Sequence, residues 1–171
     1  MSGFAASVGA WCHGVVGAIE AIHEDSVTDV VSVMQTAGPS KAATKADIKN
    51  AKKKFVGPPQ PAGHGGRMPV DTGHLRASLM ASTSQMPSID PNNNNPTGQP
   101  VTYQPGQVET VIKGATLGQT IYIGYTAAYA AAMEYGSGSL APYAFVRTAA
   151  QGWQQIVAKN EAAIMRARGL S

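Results

Sequence analysis

The chain has one cysteine, Cys12, among 171 residues. A single thiol excludes an intramolecular disulfide, and no Cys/His spacing matches a zinc site, so a reducing compartment is expected. Early positive charge is also missing. No Lys or Arg precedes Lys41, which removes the basic n-region of a secretory signal. His13, Glu20, His23 and Glu24 interrupt the apolar N-terminus as a membrane span, so a soluble chain is expected. Charged residues are 13% and aromatics 6%, and the net charge of +3 is too small to argue by itself for nucleic acid or an anionic membrane. What is plentiful is Gly, at 19, and Pro, at 11. That composition predicts long loops around a modest core within one domain spanning 1–171. The length is enough to bury such a core without disulfides or metals.

Apolar residues at Val8, Trp11, Val15, Ile19 and Ile22, then Val27, Val30, Val31 and Met34, form a helical stripe that Gly38-Pro39 stops. A second helix is predicted from Ser40 to Phe55. Its face is basic, with Lys41, Lys45, Lys49 and Lys53 at i+4 spacing. Lys41 to Lys54 holds six Lys and one Asp, or +5, which leaves −2 for the remainder. The segments 56–68 and 84–106 are too rich in Pro, Gly and Asn to pack a core and read as extended loops or arms. Between them Pro69 to Arg76 is turn-like. Ala77 to Ser82 is a strand, or a short helix and strand. Alternation at Val108, Thr110 and Ile112 predicts a half-buried strand forming a hairpin with Thr120 to Tyr125. Ala127 to Tyr135 is helix-prone. A continuous helix is predicted from Tyr143 to Arg168, with Val146, Trp153, Ile156, Val157 and Ile164 facing the sheet. The order implies an α+β fold, with N-terminal helices and a long C-terminal helix packed on a small antiparallel sheet.

Candidate chemistry is sparse. Asp71-Thr72-Gly73 is the tripeptide of aspartic peptidases, which need two carboxylates sharing a proton. One copy would need a symmetric dimer, and the basic, glycine-rich flanks suit a surface turn better, with Asp71 capping a short helix or turn. His64-Gly65-Gly66 has no Gly-x-Ser-x-Gly partner. Gly136-Ser137-Gly138-Ser139 lacks the ending of a phosphate-binding loop. His13 and His23 are about 15 Å apart along one helix, too far to share a metal. Cys12 has no basic neighbour to activate it. No catalytic, cofactor or metal site is therefore expected. Tyr129, Tyr135 and Tyr143 could lie along one contact surface, but core tyrosines are the cheaper explanation. The Lys41 to Lys54 face is read first as a solvated surface, and otherwise as a contact for DNA or an acidic partner.

Three features follow in order: Pro69-Val70-Asp71-Thr72-Gly73-His74-Leu75-Arg76-Ala77-Ser78, then Ala128-Tyr129-Ala130 with Glu134-Tyr135-Gly136, then Ala141-Pro142-Tyr143-Ala144-Phe145-Val146-Arg147. Together they make the chain resemble the neck and tail-completion family of tailed bacteriophages, over roughly residues 40 to 168. The chain departs from the family pattern in its 57–68 loop and in the length of its 84–106 excursion. The resemblance implies a non-enzymatic virion protein without cofactor, assembled in the host cytoplasm as a homo-oligomeric, hexameric ring in the neck. Its implied neighbours are head-completion or adaptor proteins on one side and tail-terminator or tail-tube proteins on the other, with non-specific contact to DNA in the channel and none to a membrane. On this reading Asp71, Thr72, Gly73, Leu75 and Arg76 form a structural turn. Lys41, Lys45, Lys49, Lys53, Tyr129, Glu134, Tyr135 and Arg147 are interface candidates. The alternatives are a dimeric aspartic peptidase using Asp71 and a small basic DNA-binding protein.

Overall fold

A computed structural model describes residues 2–36, 67–138 and 140–170. The first helix, α1, runs Ser2–Met34. It is followed among the described residues by α2 (His74–Ala77), β1 (Leu79–Ser82), α3 (Gly106–Gly114), β2 (Tyr122–Tyr125), α4 (Ala130–Tyr135), α5 (Phe145–Gln151) and α6 (Trp153–Ala167). The fold is α+β, as the pattern implied. The expected second helix at 40–55, its lysine face and the Gly38-Pro39 stop lie outside the described residues, as does most of the 56–68 loop.

The sheet has two antiparallel strands in the register Leu79↔Tyr125 to Ser82↔Tyr122. Leu79 and Ala81 alternate inward, and Tyr125 meets them from β2. Tyr125 packs edge-to-face on the fully buried Phe145, with ring centroids 5.3 Å apart. Its hydroxyl donates to Met34 O at 3.3 Å, and burial raises the phenol's pKa. Val27, Val31 and Met34 of α1 and Val108 and Ile112 of α3 complete the core around them. Met68 is also fully buried, and its N–H donates to Thr36 O at 3.0 Å.

Two expectations need correction. Residues 106–114 form α3 rather than a strand, so β2 pairs with β1 and the predicted hairpin does not exist. Val, Thr and Ile favour strands by propensity. Here the i, i+4 pair Val108 and Ile112 reaches the core from one helical face, and burial overrides propensity. Gln107 then uses the helix to protect the strand. Its amide accepts from Ala81 N at 3.0 Å and donates to Ala81 O at 2.7 Å, which occupies backbone groups that an edge strand would leave open.

The predicted C-terminal helix begins later and is broken. It starts at Phe145 and divides at Gly152 into α5 and α6. Nor does it face the sheet along its length. Two four-residue strands cannot cover a 15-residue helix about 22 Å long. Instead α6 runs antiparallel along α1. Lys159 Nζ donates to Asp29 Oδ2 at 3.0 Å, buried Asn160 reaches Ser26 and Asp29, and Arg168 donates to Gly14 O at 3.4 Å. The Lys159 bond holds the Asp29 carboxyl below its ordinary pKa against the opposing effect of burial. Trp153 is 39% exposed, so it is not the core anchor that its apolar pattern suggested.

The 84–106 excursion runs irregularly up to α3 and is held by hydrogen bonds within the chain. Asp90 N donates to Thr126 O at 2.9 Å, Ala128 N to Asn93 O at 3.1 Å, and Val101 N to Thr72 O at 2.7 Å. The asparagine run supplies side-chain staples in the same place, from Asn93 to Thr126 Oγ1 at 2.8 Å and from Asn95 to Thr72 Oγ1 at 3.2 Å.

Candidate functional site

The three sequence features that carried the family resemblance pack on one another. The turn at 71–73 leads into α2, whose N-cap is Gly73 at φ 83°. Gly73 rather than Asp71 thus holds the N-cap position, and no side-chain hydrogen bond is made from that position. Gly is required there because a Cβ would collide with the Val101 carbonyl. Thr72 holds the excursion through Asn95, and Leu75 is buried. His74 Nε2 donates to Asn93 O at 3.3 Å, and its ring lies 6.1 Å from the Tyr129 ring, which joins the first feature to the second. Asp71 itself is exposed, and its charge adds to the effect of burial in raising the Tyr129 phenol's pKa.

Glu134 joins the second feature to the third. It is 5% exposed, and its two carboxylate oxygens accept the Val146 and Arg147 N–H groups, both at 3.0 Å. These are two of the orphan donors that open α5, and a carboxylate is the favoured acceptor at that end of a helix. The preceding Ala144 takes a left-handed conformation at φ 54°, which aims the first turn at the carboxylate. Glu134 is thus consumed inside the chain. Tyr135 is 71% exposed, with the Arg147 guanidinium 5.9 Å above its ring. Of the interface candidates, Tyr135 and Arg147 are exposed, Tyr129 is half-buried, and the four lysines lie outside the described residues.

Arg76 faces the other side of the turn. Its Nε donates to Gln35 Oε1 at 3.2 Å, and Gln35 Nε2 returns a bond to Arg76 O at 3.1 Å. Beside this pair is a cleft of about 410 Å³ between α1 and α3, lined also by Tyr103, Val108 and Glu109. The Tyr103 hydroxyl is buried there without a hydrogen-bond partner among the described residues, and burial raises its pKa. Neither Gln35 nor Tyr103 stood out in the sequence. No group of three or more metal-ligating side chains occurs among the described residues.

The largest unsatisfied feature is apolar. The first half of α1 extends beyond Gly14, whose carbonyl accepts from Arg168 just past the end of α6. The eleven residues Gly3 to His13 are about 16 Å of helix outside that contact. Phe4 is 82% exposed and Trp11 62%, and Val8, Val16 and Ile19 are more than 40% exposed. By length and composition alone, Gly3–Met34 is apolar enough to cross a membrane. Its last third is nevertheless a core element, with Ser26, Val27, Val31 and Met34 buried. A second apolar surface lies elsewhere. Val27, Val30 and Met34 of α1, Ile121 to Ile123 around β2, and Val146, Ala150 and Trp153 of α5 and α6 line an open groove of about 470 Å³. No known protein family, curated protein or solved structure matches the chain.

Proposed function

We propose that the chain is a structural subunit of a tailed-bacteriophage neck, assembling as a ring that joins the head connector to the tail. The observation that carries this reading is the exposed apolar half of α1. A helix that leaves Phe4, Val8, Trp11, Val16 and Ile19 in water exposes what a folded monomer would bury, and such a surface marks contact with another macromolecule. The mutual packing of the three sequence features adds support, because it gives the resemblance a physical basis. His74, Tyr129, Glu134 and the start of α5 lock one another in place. These residues build a scaffold for assembly surfaces and leave the outer faces of Tyr135 and Arg147 for neighbours.

The test is genetic and biochemical. In a phage that encodes the chain, a nonsense mutation should yield DNA-filled heads and free tails that join when the purified protein is added. Complete particles from the mutant would overturn the reading.

A further inference from the structure

We infer that the apolar first half of α1 docks into the groove between α1, β2 and the α5–α6 junction of a second copy of this chain. The inference names the contact between copies, and it rests on the neck reading only for closure of that contact into a ring.

Both halves of the contact are present in each chain, and they cannot meet within it. The helix α1 is continuous from Ser2 to Met34. Trp11 and Val30 are nineteen residues apart on it, about 28 Å along the axis. Since Val27, Val30 and Met34 form one wall of the groove, the helix would have to fold back on itself to place Phe4 or Trp11 there. Only another chain can supply that segment.

The chemistry of the two surfaces matches. Between Ser2 and Ile19 the only titratable side chains are Cys12 and His13, and among the described groove residues none but His23 can carry charge near neutral pH. Docking therefore strips no permanent charge of water. Met86, 60% exposed at the rim, has the flexible side chain suited to closing over an inserted ring. Trp153 offers a half-exposed aromatic of the kind that dominates binding energy.

The α1 wall of the groove runs from His23 to Met34, about 16 Å. A helix about 10 Å across laid half-deep along that length buries roughly 300 Å² of accessible surface, or about 650 Å² over both partners, the size of a weak contact that repetition around a ring reinforces. The surface that donates differs from the surface that receives. Such a head-to-tail contact propagates from copy to copy and closes into a ring when its rotation allows.

The test uses full-length chains and sedimentation. Trp11→Glu and Phe4→Glu change exposed positions on the donating helix, and Ala150→Glu and Met86→Glu place charge on exposed positions of the groove. The wild type should associate with concentration. Each variant alone should associate at least about 30-fold more weakly, as expected for loss of a central anchor. An equal mixture of Trp11→Glu and Ala150→Glu should form a one-to-one complex, because one chain retains its groove and the other its helix.

Three results would overturn the docking: a wild type that stays monomeric, a Trp11→Glu chain that keeps the wild-type mass, or a mixture that does not pair. Loss of association in the helix variants alone, with both groove variants unaffected, would also overturn it and indicate symmetric pairing of the α1 helices. A monomeric wild type that floats with phosphatidylcholine and phosphatidylglycerol vesicles would instead make the projecting helix a membrane contact. None of these results decides the neck reading, which the head-joining assay tests separately.

Discussion

Replacing Glu134 by Ala tests whether this carboxylate is what holds α5 in place. The side chain is 5% exposed and accepts the Val146 and Arg147 N–H groups at 3.0 Å each. Hydrogen bonds to a charged group contribute about 1.5–3 kcal/mol each, and loss of a helix cap costs about 0.5–2 kcal/mol. The two estimates overlap because they count the same bonds. Water entering the vacated space would satisfy part of the loss, so the expected cost for Glu134→Ala is about 2–4 kcal/mol. Glu134→Gln keeps one acceptor oxygen but turns an NH₂ group toward the other backbone donor, and should cost about 1–2 kcal/mol. Urea unfolding of the full chain measures both as a shift in midpoint at constant slope. The order should be wild type, then Gln, then Ala. An Ala variant within about 0.5 kcal/mol of wild type, the range of an ordinary surface change, would refute the capping role.

Other perturbations probe separate parts of the fold. Gly73→Ala should destabilise by more than about 2 kcal/mol, because it combines an unfavourable positive φ with a Cβ against the Val101 carbonyl, and thermal unfolding would show the loss. Ala144→Gly should be neutral or stabilising by up to about 1 kcal/mol, since relief of the left-handed strain at φ 54° outweighs the added freedom of the unfolded chain; a clear loss in urea unfolding would contradict this. The Tyr125 phenol has its pKa raised above the ordinary 10.0 by burial, so its contribution to stability is complete below pH 10 and is lost as pH rises further. Absorbance at the phenolate band should show Tyr125 titrating only together with alkaline unfolding, whereas a Tyr125→Phe variant should lose that step.

Local patterns in the sequence decided several elements because their causes are local. The apolar spacing from Val8 to Met34 specifies a helix whatever surrounds it, and α1 covers all of it. The same holds for the turn at 71–73, which opens α2, and for the alanine-rich stretch that becomes α4 and stops at Gly136. The 84–106 segment was legible as irregular from its Pro and Asn content. Its partners were not, because the bonds from Asn93 to Thr126 and from Val101 to Thr72 join residues that only the folded chain brings together.

Tertiary structure decided which helical face is buried, and that is where the functional reading turned. Periodicity marks Trp11 and Val27 alike as apolar positions on one helix. The former lies on a face that stays in water, while the latter is buried in the core with the sheet and α3. Residues 108–112 carried a strand-like alternation and a helix-like i, i+4 pair at once, and the available core surface selected the helix. Glu134 likewise read as an interface candidate until the start of α5, eleven residues later, met its carboxylate with two N–H donors. A sequence fixes spacing along the chain, and spacing sets each element and its faces. Which faces find a partner depends on contacts between distant residues, and so on the assembled fold.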